Sequence, residues 1–214
     1  MSHIFISDED VSCTAFFTGH RRIPAELTEQ LGDRIFRCIY DAYHAGYRRF
    51  FCGCALGFDT LAAFQTVRLR NQFPDAKLSL AIPCETQSDK WPEKDRKIYR
   101  EILDLADDQV ILSPDYYQGV MLARNRYMAD RSSLCICYLT HMRGGTASTV
   151  RYALTCDPMD IINLAVNSNE YHMDLMREDE WNYMCISPFA NKNADTVHLY
   201  LRPDRKLTMK HIFH

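Results

Sequence analysis

The feature that most constrains this chain is an alternation running through its first 165 residues: short apolar runs, bounded by turn residues, separated by single segments of helical period. The runs are CTAFFTG from Cys13, FFCGC from Phe50, KLSLAIP from Lys77, QVILS from Gln109, SLCICYL from Ser133 and MDIINLA from Met159. Between the first two, Leu27, Leu31, Ile35, Ile39 and Ala42 recur at helical spacing, with Pro24 before them and Gly46 after as start and stop signals. DTLAAFQTVRLRNQF from Asp59, the set Ile98, Ile102 and Leu105, VMLARNRYMADRS from Val120 and TASTVRYAL from Thr146 continue the series. Strands apolar on both faces and joined by single helices need cover on both sides, which is the pattern of a parallel sheet. The expectation is an α/β, Rossmann-like three-layer fold with a mainly parallel sheet over residues 13–166. Residues 167–214 read differently: an acidic stretch (Asp174, Glu178, Asp179, Glu180), then WNYMCI, a polar NKNAD and TVHLYL. This pattern predicts a C-terminal extension built as a β-hairpin, packed on the core and covering a sheet edge.

Composition narrows the class. The chain has 214 residues, 47% of them hydrophobic and 25% charged, which excludes a disordered or collagenous protein. A chain of this size buries roughly 70% of its unfolded surface, enough for a core without staples. The net charge of −3 disfavours nucleic acid as a partner, since a duplex-coating surface is basic. No run reaches the ~18 apolar residues of a membrane span, and MSHIFISDED carries acids where a signal peptide has a basic region. Nine cysteines is an odd number. Cys52/Cys54 and Cys135/Cys137 sit two apart inside strand-like runs, where same-face packing explains the spacing without a metal. A reducing cytoplasm, no metal site and no required cofactor are the expectations.

In a parallel α/β sheet, ligands bind at the rim formed by the strand C-termini. The loops expected there are Thr18-Gly19-His20-Arg21, the segment from Gly53 through Gly57 to Asp59, Ser113 through Gly119 leading to Arg124 and Arg126, and Arg143-Gly144-Gly145-Thr146. Paired glycines at a helix start let backbone amides approach an anion closely. Thr146 can add a hydroxyl or cap its helix. Between Gly119 and Tyr152 stand five arginines (124, 126, 131, 143, 151) and one acid, Asp130, so this segment is +4 and the remainder −7. Such a local excess beside glycine turns suits a phosphate. Asp59 reads equally as a first-turn acid or a ribose hydroxyl acceptor. His20 can bond a ligand or a neighbouring carbonyl, and Trp91, Tyr99, Tyr116 and Tyr117 can stack on a base or pack a core. Neither a Walker lysine nor a GxGxxG pattern is present.

Five blocks in order, FTGHR from Phe17, GCALGFDTLAA from Gly53, WPEKDRKIY from Trp91, RNRYMADRS from Arg124 and GGTASTVRYA from Gly144, resemble the YpsA-like family of the SLOG superfamily, which includes DprA and LOG proteins. The resemblance covers residues 14–165. It implies a bacterial or phage protein with a pocket for a nucleotide-derived ligand, the GGT segment holding phosphate. LOG proteins hydrolyse the N-glycosidic bond of nucleoside monophosphates; Met121 and Arg124 match their M-x-x-R, and Gly144, Gly145 and Thr146 match part of their PGGxGTxxE. Their glutamate has no counterpart, because Ser148 and Thr149 stand in its neighbourhood, and Phe64 replaces an acid frequent in YpsA-like chains. Asp59 and Asp130 are the substitute carboxylates such a reaction would need.

The expected function is therefore binding of a small nucleotide derivative, of ADP-ribose, NAD or nucleoside monophosphate type, in a sensing or regulatory module. A LOG-type nucleotide N-glycosidase is the alternative, leaving enzymatic activity open. Single-stranded nucleic-acid binding of the DprA type stands third. A homo-oligomer is compatible with the sequence.

Overall fold

The computed structural model describes residues 11–141, 143–157 and 159–165, together with the backbone of two later strands, 182–186 and 197–201. The strands are β1 (Thr14–Gly19), β2 (Arg49–Cys52), β3 (Lys77–Ile82), β4 (Asp108–Ile111), β5 (Leu134–Tyr138), β6 (Asp160–Asn163), β7 (Asn182–Ile186) and β8 (Val197–Leu201). The helices are α1 (Thr28–His44), α2 (Phe58–Arg70), α3 (Glu93–Leu105), α4 (Val120–Ala129) and α5 (Gly144–Ala153). The sheet order is β4-β3-β2-β1-β5-β6-β8-β7. The first six strands pair in parallel, and β8 and β7 add antiparallel strands beyond β6. The Rossmann-like layering expected from the alternation is present. So is an antiparallel strand pair, at NYMCI and VHLYL; the acidic stretch before it and the NKNAD segment lie outside the described residues.

Strand alternation divides the interior in two. Ala15 and Phe17 of β1, Phe50 and Cys52 of β2, and Leu134, Ile136 and Tyr138 of β5 pack with α1, α2 and α3 on one face. Phe16, Phe51, Cys135 and Cys137 point the other way, onto α4 and α5. The i, i+2 cysteine pairs are same-face neighbours, as their spacing required. The segregation follows the strand order: the chain winds outward from β1 to β4 with its helices on one face, then returns through β5 to β6 with helices on the other, as crossovers of a single hand require.

Two boundaries differ from the sequence reading. Pro24 precedes a short 3₁₀ turn, Ala25–Leu27, and α1 starts only at Thr28. Gly144 and Gly145 are the first residues of α5 rather than a turn before it.

Candidate functional site

The strand order reverses between β1 and β5, so their following loops part and leave a crevice at the C-terminal rim. A cleft of about 300 Å³ occupies that point. Thr18, Gly19, His20 and Arg21 leave the end of β1 along one side, and Arg143, Gly144, Gly145 and Thr146 open α5 on the other. Asp59 from the first turn of α2 and Arg124 from α4 complete the charged lining, which carries three arginines against one carboxylate.

Arg124 is the unusual group. Val120, Arg124 and Met128 form the buried i, i+4, i+8 stripe of α4, so a guanidinium stands where a helix ordinarily places an apolar side chain. It is 5% exposed. Room for it comes from Gly53: a Cβ there would lie 1.4 Å from Nη1. Its nearest carboxylate, Asp59, is 4% exposed and reaches Nη1 only at 3.8 Å, beyond hydrogen-bond distance. Nε and Nη1 are buried with no hydrogen-bond partner among the described residues. Buried polar groups are ordinarily satisfied, and a charged one left open costs more than a neutral one.

Asp59 accepts the Ala55 N–H at 3.3 Å through Oδ2. Burial pushes its carboxyl up to about 6; Arg124, the amides of Ala55 and Gly53, and Arg21 pull it back. Desolvation also lowers the Arg124 pKa. The pair is thus held in low dielectric by attraction without a made hydrogen bond. The opposite wall supplies backbone. Arg143, the N-cap of α5, makes no side-chain cap, and the first turn has no acid. A Cβ at Gly144 or Gly145 would meet nothing within 4 Å, so both face open space. Unpaired N–H groups and the positive dipole end are available there for an anion.

His20 is fixed by the chain that passes over it. Its Nε2 accepts the Thr140 N–H at 3.0 Å, which places the ring proton on Nδ1. Burial, then the neighbouring His141, lowers its pKa to about 4, so the ring is neutral at physiological pH. The two imidazoles stack with centroids 4.0 Å apart and planes 4° from parallel.

Several residues expected at the site are placed elsewhere. Gly53 and Gly57 do not line the cleft: Gly53 accommodates Arg124, and Gly57 (φ 81°) lets the chain pass within 2.3 Å of where its Cβ would meet the Arg21 carbonyl. Arg126 is exposed on α4 with its guanidinium 5.0 Å from the Tyr152 ring. Asp130 ends α4 and accepts the Tyr152 hydroxyl at 2.6 Å, away from the lining. From the loop that begins at Ser113, only the following helix reaches the cleft, through Met121, Arg124 and Asn125. Tyr116 and Tyr117 are 63% and 50% exposed, while Trp91 and Tyr99 pack edge to face on the core. Thr149 is buried and donates to the Gly145 carbonyl at 2.8 Å while accepting from Asn125 Nδ2 at 2.6 Å, so its hydroxyl is engaged. Asn125 and His141 were not anticipated. Asn125 is adjacent to a recognised arginine, and His141 follows the most apolar strand, but neither lies in a motif with chemistry of its own.

The chain has relatives among known proteins. The family model described as YspA SLOG family (YpsA) matches residues 25–179. The SPbeta prophage-derived protein YoqJ of Bacillus subtilis is 26% identical over 117 residues, covering 49% of this chain and 68% of that protein. UPF0398 protein BH1768 of Halalkalibacterium halodurans is 24% identical over 143 residues, covering 64% and 74%. Among solved structures, DNA processing protein A (DprA) from Streptococcus pneumoniae superposes with a TM-score of 0.51 at 19% identity over 72% of this chain, which spans 50% of the DprA chain. That likeness is one of fold. DNA processing protein A of Helicobacter pylori, described for its single-stranded DNA binding mode, aligns at a TM-score of 0.45 and 22% identity over 69% of this chain and 64% of its own, too loosely to argue from. Among the described residues no helix is long and apolar enough to cross a membrane. With the family model spanning well over half of its length, the chain belongs to the YpsA family of SLOG proteins.

Proposed function

We propose that this protein binds a small nucleotide derivative, of ADP-ribose, NAD or nucleoside monophosphate type, at the switch-point cleft, and acts as a ligand-sensing module. The observation that carries this reading is Arg124, a buried guanidinium with two nitrogens lacking hydrogen-bond partners. It lies in the same cleft as an uncapped helix start. A phosphate would satisfy both at once, and guanidinium–phosphate contacts are among the strongest hydrogen bonds available. The cleft volume falls at the lower end of small-molecule sites, roughly 300–1,000 Å³.

One observation supports a second reading, N-glycosidase chemistry: Asp59 presents a carboxyl held near 6 on the cleft. Against it, glycoside cleavage ordinarily uses two carboxylates flanking the bond, and Asp59 is the one acid in the described lining. Binding of single-stranded nucleic acid would need a basic track for several phosphates, whereas the cleft offers Arg21 and Arg143 as its exposed cations.

Calorimetric titration with ADP-ribose, nucleoside monophosphates and a single-stranded oligonucleotide separates the three. The proposal expects saturable binding of a mononucleotide-sized ligand, weakened about ten- to a hundred-fold in Arg124→Ala, with no free base released on chromatography. Base release lost in Asp59→Asn would make the protein a hydrolase, and tight binding of the oligonucleotide alone would make it a nucleic-acid binder.

A further inference from the structure

A column of aromatic rings connects the core to the cleft. Phe17 and Phe58 are fully buried and meet edge to face, with centroids 6.4 Å apart. Phe58 stacks on Tyr138 at 6.0 Å and 15°. Tyr138 meets His20 edge to face at 6.2 Å and 79°. His20 stacks on His141, and the column ends there, because His141 is exposed and lines the cleft.

Each ring near the end is held in place. The Thr140 N–H bonds His20 Nε2, and the Thr140 hydroxyl lies 3.2 Å from His141 Nδ1, so one residue anchors both imidazoles. His20 backs the plate as a neutral ring, so the stack is not broken by two like charges at 4.0 Å. A fixed, flat π surface facing a cleft is what single bases stack upon, and such stacking tolerates any base because every base has a π face.

We infer that the His20–His141 plate is a nucleobase-stacking subsite, with the phosphate of the same ligand directed to Arg124 and the start of α5. The inference rests on the nucleotide reading above and deepens it: it divides the cleft into an aromatic half that takes the base and a cationic half that takes the phosphate. His141 is then a specificity-determining residue, discriminating nucleotides from base-free sugar phosphates.

Ribose 5-phosphate and a panel of AMP, GMP, CMP and UMP, titrated calorimetrically near pH 8, keep the two readings apart. At least one nucleotide should bind wild type on the order of ten-fold more tightly than ribose 5-phosphate. That preference should vanish in His141→Ala and persist in His141→Tyr, while ribose 5-phosphate binding stays unchanged in both and falls in Arg124→Ala. No preference for any member of the panel in wild type overturns the stacking subsite and leaves the phosphate site standing. Equal weakening of nucleotide and ribose 5-phosphate by His141→Ala also overturns it, since His141 would then be contacting the sugar phosphate rather than the base. Failure of every ligand to bind wild type overturns the phosphate site and the subsite together.

Discussion

The two ends of α2 each bring a buried or half-buried aspartate–arginine pair to the sheet, and the pairs are built to opposite standards. At the C-terminal end of the helix, Arg70 Nη1 lies 2.7 Å from Asp107 and donates to the Leu105 carbonyl at 2.9 Å, while Asp107 also accepts the Leu78 N–H at 2.8 Å. Its charges are used up in joining α2 to β3 and β4. At the N-terminal end, Asp59 and Arg124 are more deeply buried yet stand 3.8 Å apart, with two guanidinium nitrogens unbonded. Burying a charge is costly unless its hydrogen bonds are made. The fold closes one pair and leaves the deeper one open, and the proposed phosphate would make the contacts that Arg124 lacks.

The largest break in this contrast comes from Gly53→Ala. The added Cβ would occupy the seat of the Arg124 guanidinium, so ligand affinity should fall about ten- to a hundred-fold and stability by about 1–3 kcal/mol. Arg70→Ala should cost stability on the order of 1 kcal/mol and leave affinity untouched. Parallel urea melts and calorimetry read both; loss of affinity in Arg70→Ala would erase the distinction between the two ends. Next in size is Gly145→Val. Its side chain meets open space, so the fold tolerates it, but it covers the amides of α5, and affinity should drop several-fold to about ten-fold.

Acid gives a subtler test. Asp59 titrates near 6 in the folded protein against an ordinary 3.8, so between about pH 4 and 6 the native state holds a proton the unfolded state has released. Its contribution to stability therefore falls as pH rises through that window. His20, lowered to about 4 from 6.5, works oppositely: the unfolded chain protonates first, and stability falls as pH drops from about 6.5 to 4. Asp41, raised by burial to about 6, adds a slope of the same sign as that of Asp59. Relative to wild type, stability should therefore gain less on acidification in Asp59→Asn and more in His20→Asn, as read by urea midpoints across the window. Affinity for ADP-ribose, whose pyrophosphate charge is constant here, should rise as pH falls toward 6 and lose most of that slope in Asp59→Asn. The smallest effect belongs to Arg126→Ala, which removes a surface contact with Tyr152 worth about 0.5–1 kcal/mol and should leave affinity unchanged.

The layers and the parallel pairing of the core follow from periodicity, because strands apolar on both faces need helical cover on each side. The site was legible where chemistry is local: GHR at the end of β1 and GGT at the start of α5 announce a rim loop and an anion-ready helix. It was illegible where function depends on which way a helix faces. Helical spacing sets Arg126 on a different face from Arg124 and Arg131, but it does not say which face is buried; Arg124 occupies the buried stripe with Val120 and Met128, and Arg126 faces out. Gly53 and Gly57 were read as ligand contacts, since a glycine signals close approach without naming what approaches; here it is a guanidinium and a carbonyl. The His20–His141 stack joins residues 121 positions apart and has no sequence signature at all.

Side-chain Nε–Hε resonances of arginine, followed by NMR during a nucleotide titration, address the two ends of α2 in one measurement. The Arg124 signal should shift and exchange more slowly with water at saturation as its guanidinium gains a phosphate partner, while the Arg70 signal stays in place. Saturable binding with Arg124 unmoved, or with Arg70 moving equally, would contradict the assignment of Arg124 as the arginine kept open for an anion.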